Sequence, residues 1–212
     1  MPIILSKNLN SSVSFCVWRI SETEEFFYDY LQLLPEDENY IRHLKLPTRR
    51  LEKLACRAAL ASLLHSHYVE VRYNPKGVPQ IPDYSVSFAH SRSHVAVAIT
   101  QNSPIGIDIE PITERITKLY TKILSPTEIQ RFDIAQPRQL HFCWGAKEAM
   151  YKYCGGSCPD HINQLQVLNF PEPLPFAKGV IQTETERSEV QLCCYEMENQ
   201  MIVLCYNLLN NN

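Results

Sequence analysis

Long hydrophobic runs are missing from this 212-residue chain. No stretch approaches the roughly 18 apolar residues of a membrane-spanning helix. The opening "MPIILSKNLNSSVSF" lacks the basic start and extended apolar segment of a secretory leader. A cytoplasmic protein with no membrane partner is therefore expected. A basic excess is also missing, since the formal charge is -3, which argues against a general nucleic-acid binder. Paired C-x-x-C knuckles are lacking too, although there are eight cysteines. Cys154 and Cys158, in "CGGSC", have only His161 nearby as a further ligand, so reduced thiols are expected rather than structural zinc.

With 45% hydrophobic and 20% charged residues, the composition is that of an ordinary globular protein. "VSFCVWR" (13–19) suits a strand. Ser21 and Glu24 form a capping-box pattern ahead of "EFFYDYLQLL". "RRLEKLACRAALASLLHSHY" places Leu51, Leu54, Ala55, Ala58 and Ala61 at helical spacing. "YNPKGVPQIPD" is turn-rich, and "SVSFAHS" and "HVAVAIT" read as paired strands. Ser125, Pro126 and Glu128 mark a second helix start. "RQLHFCWGAKEAMYKYC" predicts another long helix, and "EVQLCCYEMENQMIVLCYNLL" a terminal hairpin.

The two halves echo each other: "ACRAAL" (55–60) and "GAKEAM" (145–150) share a pattern at an offset of 90. Each precedes a pair of strands, which suggests an internal duplication. The expected fold is α+β, with two similar lobes in pseudo-twofold relation. Each lobe is a small antiparallel sheet on a long helix, over residues 1–102 and 103–212. The active site is expected in the cleft between them.

Chemistry concentrates in "SPIGIDIEPI" (103–112). Ile105, Ile107 and Ile109 alternate with Gly106, Asp108 and Glu110, so a strand points both acids to one face. Such a pair is commonly a solvated strand face, but Gly106 is expected to leave open space beside the carboxylates. Glu148 follows Glu110 by 38 positions, within "WGAKEAMYK". Glu148 and Lys152 share a helix face with Trp144. Three carboxylates are hard oxygen donors suited to Mg²⁺. With Lys147 and Lys152 beside the third acid, the set reads as a site for phosphate transfer or cleavage.

"GIDIE" followed by "WGAKEAMYK" resembles the paired signatures of the 4'-phosphopantetheinyl transferases, roughly G-[IV]-D-[IV]-E and W-[SCT]-x-K-E-[AS]-x-x-K. "VSFAHS" is similar to the family's S-[IV]-S-H-S element, and "PKGVPQIP" to its G-K-P loop. The resemblance runs from about Arg42 to Lys152. Chain length and motif spacing are similar to the two-lobed, surfactin-synthetase-activating type rather than the short trimeric type, and a monomer is expected.

The resemblance implies transfer of the phosphopantetheine arm of coenzyme A to a serine of an apo acyl or peptidyl carrier protein. Adenosine 3',5'-bisphosphate would be released, as in a holo-acyl-carrier-protein synthase. By similarity, Asp108, Glu110 and Glu148 would ligate Mg²⁺ or Mn²⁺. Asp108, Glu148 and Lys152 would form the catalytic set, with Glu148 as the base and Lys152 on the pyrophosphate. Arg42, Lys45, Arg57, Lys76, Gly77, His90 and Lys147 would bind coenzyme A. The segment "ITKLYTKILSPTEIQRF" would receive the carrier protein, with Lys118, Lys122 and Arg131 as contacts. Two positions depart from the family pattern: Ala89 replaces a serine, and Val78 a lysine. They keep open a catalytically inactive relative that binds coenzyme A or a carrier protein. The acids alone also admit a metal-dependent nuclease or phosphodiesterase, against which the net charge speaks.

Overall fold

In a computed structural model that describes residues 3–101, 103–173, 175–183 and 185–207, the chain divides into two units, Met1–Asn102 and Ser103–Asn212. Secondary structure is mixed, with helices packed on antiparallel sheets. Among the described residues no helix is long and apolar enough to cross a membrane, and all eight cysteines are free thiols.

The first unit runs β1 (Ile3–Asn8), β2 (Val13–Arg19), α1 (Glu24–Tyr30), β3 (Gln32–Leu33), α2 (Pro35–Arg42), α3 (Pro47–Leu64), β4 (Tyr68–Val69), β5 (Arg72–Tyr73), β6 (Pro79–Gln80), β7 (Ser85–Ser91) and β8 (His94–Thr100). Its main sheet has the order β1-β2-β8-β7, antiparallel throughout. Helix α3 packs Leu54, Ala55, Ala58 and Ala61 into a core with Trp18, Val95 and Val97. The small side chains bring the helix close to the sheet, as its sequence spacing predicts. The α1 start differs from expectation. Thr23, not Ser21, is the N-cap, its hydroxyl accepting from the Phe26 N–H at 3.4 Å. Both residues offer the hydroxyl a cap requires, so the pattern alone did not decide between them.

The second unit runs β9 (Ile105–Pro111), two 3₁₀ turns (Glu114–Lys118 and Tyr120–Lys122), α4 (Pro126–Ile129), α5 (Pro137–Tyr153), α6 (His161–Gln164), β10 (Leu165–Val167), β11 (Phe176–Gln182), β12 (Arg187–Met197) and β13 (Gln200–Tyr206). Its sheet has the order β10-β11-β12-β13-β9. The terminal hairpin turns through Glu198 and Asn199, both at positive φ, the geometry of a tight two-residue connection. Ser125 and Glu128 complete the reciprocal capping box their spacing predicts.

Helix α5 lies along β9 and β13, and Gly106 sets how closely. A Cβ there would stand 1.8 Å from the Ala149 carbonyl oxygen. The expected open space beside the acids is therefore not found. Helix backbone fills it, and Gly106 is the residue that lets the helix in.

Among the described residues, each unit buries a charged pair. Arg57 on α3 meets Asp37 on α2 through two hydrogen bonds, at 2.7 and 2.8 Å. Lys147 on α5 meets Glu128 on α4 at 2.7 Å. Removing one member of such a pair leaves the other charge buried and uncompensated. Asp37→Ala is expected to destabilise the protein by about 3–5 kcal/mol, read from urea unfolding midpoints. Gly106→Ala is expected to lose about 3 kcal/mol by overpacking against helix backbone, whereas Gly77→Ala, with open space around it, is expected to lose less.

Candidate active site

Strand β9 turns Gly106, Asp108 and Glu110 toward α5, so the acid face is the helix-facing side rather than a solvated one. Asp108 is only 6% exposed. A carboxylate so placed needs a positive partner, and Lys152, in the last turn of α5, provides it. Lys152 Nζ donates to Asp108 Oδ1 at 2.7 Å and to the Ile107 carbonyl at 2.8 Å. One ammonium thus ties the helix end to the strand. Glu110 Oε1 accepts from Trp144 Nε1–H at 3.3 Å. That role for Trp144 is not evident from its spacing, which signals packing alone.

Glu148 lies one turn before Lys152 and belongs to the same electrostatic cluster. Burial, then the Asp108 charge, push its carboxyl above the ordinary range, while Lys152 and His161 oppose the shift. Glu110 is raised for the same reasons, burial first and Asp108 second. All three carboxylates therefore feel the charge of Lys152, which Asp108 contacts directly.

Among the described residues, no three His, Cys, Asp or Glu side chains are gathered closely enough to hold an ion as they stand. The donor chemistry nevertheless suits a divalent cation. Among the described residues, the buried Asp108 Oδ2 has no hydrogen-bond partner, an arrangement that costs free energy unless something fills it. An oxygen-seeking ion would satisfy that atom and the excess negative charge together.

The residues expected to bind coenzyme A fall into two groups. Arg42 is exposed at the end of α2, paired with Glu38 at 2.7 Å and stacked 3.8 Å over Tyr28. Lys45 is exposed in the turn before α3, and Lys76 in the turn after β5. Gly77 adopts a φ of 77° there, where glycine is the natural residue. His90 is exposed, with Nε2 at 2.9 Å from Arg49 Nη1 and Nδ1 at 3.6 Å from Glu52. Arg49, missed by motif matching, is the basic residue that accompanies His90. Its position in the first turn of α3 was the available signal.

Arg57 and Lys147 belong to the other group, and here the expectation is corrected. The anion that an arginine among alanines requires is the protein's own Asp37, and Arg57 has no exposed surface. Lys147 is 3% exposed and donates to Glu128 and to the Ile162 carbonyl at 2.9 Å. Neither side chain is presented to a ligand phosphate.

Beside Glu110 a pocket of about 490 Å³ opens, with Ile116, Leu119, Ile123 and Trp144 among its walls and Arg115 and Lys122 among its polar groups. It lies in the segment expected to meet a carrier protein. Arg131, expected to share that contact, is exposed and donates to the Val167 carbonyl at 2.8 Å.

Residues 104–205 match the family model of the 4'-phosphopantetheinyl transferase superfamily. The matched stretch includes β9 and α5, and with them Asp108, Glu110, Glu148 and Lys152. A 4'-phosphopantetheinyl transferase of Bacillus subtilis is similar over 87 residues at 29% identity. That alignment covers 39% of this chain and 38% of the bacterial protein, so the chain spans well under half of its curated relative. The resemblance drawn from the motifs is borne out by both comparisons.

Because the Asp108 charge raises both glutamates, Asp108→Asn is expected to lower the pKa of Glu110 and of Glu148. Carboxyl-detected NMR titration of glutamate-labelled protein reads both shifts, and unmoved values would remove Asp108 from the cluster.

Proposed function

We propose that the protein transfers the 4'-phosphopantetheine arm of coenzyme A to a serine hydroxyl of an apo acyl or peptidyl carrier protein. The observation that carries this reading is the bond from Lys152 on α5 to Asp108 on β9, with Glu148 one helical turn from Lys152, inside the stretch that matches the family. A divalent ion, Mg²⁺ or Mn²⁺, held by Asp108, Glu110 and Glu148, would supply neutralisation of the pyrophosphate charge.

Glu148 accepts the proton of the serine hydroxyl as the oxygen attacks the β-phosphorus. A carboxylate that serves as both ligand and base has to stay ionised, which a bound ion favours. The bond from the β-phosphorus to the bridging oxygen breaks, and adenosine 3',5'-bisphosphate departs with that oxygen. Lys152 exchanges its hold on Asp108 for the phosphate oxygens and stabilises the charge that grows on them as a point cation. In the first unit, Arg42, Lys45, Lys76 and His90 are exposed basic or titratable groups suited to the 3'-phosphate, and Arg49 joins them. The departures at Ala89 and Val78 remove one hydroxyl and one ammonium, each loss costing on the order of 1 kcal/mol of coenzyme A binding.

The apolar pocket beside Glu110 suits the carrier protein, because Arg115 and Lys122 offer positive charge to an acidic helix. A cytoplasmic monomer completes the reading. An inactive relative is the second reading, favoured by the departures at Ala89 and Val78.

Incubation with coenzyme A, Mg²⁺ and a panel of apo carrier proteins separates the two readings. A mass gain of one phosphopantetheine arm on a carrier serine is expected. Coenzyme A binding without transfer to any carrier would leave the inactive relative. Glu148→Gln is expected to abolish transfer with an unchanged circular-dichroism spectrum; full turnover would remove Glu148 as the base.

A further inference from the structure

His141 on α5 is only 6% exposed, and its two ring nitrogens are in different situations. Nε2 stands 2.9 Å from the Thr113 main-chain nitrogen and 3.2 Å from the Thr113 carbonyl oxygen. A main-chain N–H can only donate, so the closer contact makes Nε2 the acceptor. Burial, opposed by the Thr113 contact, holds the imidazole pKa below its ordinary value and favours the neutral ring. In a neutral ring whose Nε2 accepts, the proton sits on Nδ1. Among the described residues, that buried Nδ1 has no hydrogen-bond partner. A donor taken out of water without an acceptor costs free energy.

His141 is also part of the wall of the pocket beside Glu110, three residues before Trp144 on the same helix. Among the other walls, Ile116 and Ile123 belong to the core, whereas Leu119 is an exposed hydrophobic side chain at 39%. A cavity of this kind takes an apolar group and fixes it with a few polar contacts. The charges around it favour an acid. Arg115 and Lys122 stand against Glu110, whose Oε1 already accepts from Trp144. Apolar walls, two cations and an unused donor together call for an apolar side chain with a carboxylate beside it.

We propose that His141 is a specificity-determining residue for the carrier protein, its Nδ1–H donating to a carboxylate that flanks an apolar side chain seated in the pocket. This rests on the reading of the pocket as the carrier's. The bond from the Thr113 N–H to Nε2 fixes the ring beside the end of β9, so the donor is oriented before the carrier arrives. Nδ1 is shielded from solvent, and a bond made there meets little competition from water. A carrier without the acid leaves the donor unpaired and is discriminated against.

Two substitutions separate this role from a structural one. Glutamine carries its amide at the reach of Nε2 and keeps a partner for Thr113, without the Nδ1 donor. Asparagine places an amide N–H near Nδ1 and gives up the Thr113 bond. In transfer assays of the full chain, with the apo carrier that gains the arm, His141→Gln is expected to raise the KM for carrier about tenfold or more. The dissociation constant for coenzyme A is expected to stay as in the unaltered protein, and His141→Asn to raise the carrier KM less. An unchanged carrier KM in His141→Gln, or a larger rise in His141→Asn, would overturn the role of Nδ1 and leave the transferase reading standing. NMR of ¹⁵N-histidine-labelled protein is expected to find the His141 proton on Nδ1 and to shift that resonance when the apo carrier binds. A proton on Nε2, or an Nδ1 resonance indifferent to the carrier, would overturn the inference alone. Absence of transfer to every carrier would overturn the transferase reading and this inference with it.

Discussion

The hold of Lys152 on β9 is the interaction on which the site depends. Its ammonium grips a side-chain oxygen of Asp108 and the main-chain oxygen of Ile107 at once. Helix and strand are therefore registered against each other by a charged group, which is more directional than apolar packing. The grip is possible because Gly106 has no side chain to hold the helix away. Lengthening the distance between helix and strand would separate Asp108 from Lys152 and Glu110 from Trp144 together. The chemistry of the site and the packing of the second unit are thus one constraint.

A related logic appears in the two long helices. Arg57 and Lys147 occupy the same position in "ACRAAL" and "GAKEAM". Each is buried and pairs with an acid, Asp37 at 20 positions earlier and Glu128 at 19. Each acid comes from the helix preceding its partner's. The parallel is one of position and pairing in the two helices. It also explains why a basic residue persists among alanines: its role is to anchor the preceding helix, and the free energy of burial is offset by two-centre or networked hydrogen bonding.

Local rules carried much of the sequence reading. Period-two alternation identified β9, helical spacing identified α3 and α5, and the Ser125–Glu128 box marked α4 because each depends on neighbours within a few residues. The acids and Lys152 were legible for the same reason, two per segment at strand or helix spacing. What failed was long-range pairing. No local pattern shows that Arg57 meets Asp37, that Lys147 meets Glu128, or that Trp144 reaches Glu110. A buried cation among small residues does announce that an anion is needed, and a phosphate and a carboxylate satisfy that need equally well on paper. His161 was legible only as a companion of Cys154 and Cys158, because its nearness to Glu148 follows from the fold of the intervening loop.

Lys152 has one further consequence. Many metalloproteins unfold when stripped of their ion, since the ligands then repel one another. Here the Lys152 ammonium already meets the Asp108 carboxylate at 2.7 Å. On the reading of these carboxylates as ligands, an arriving ion would take the place of a lysine at Asp108 rather than meet an uncompensated charge.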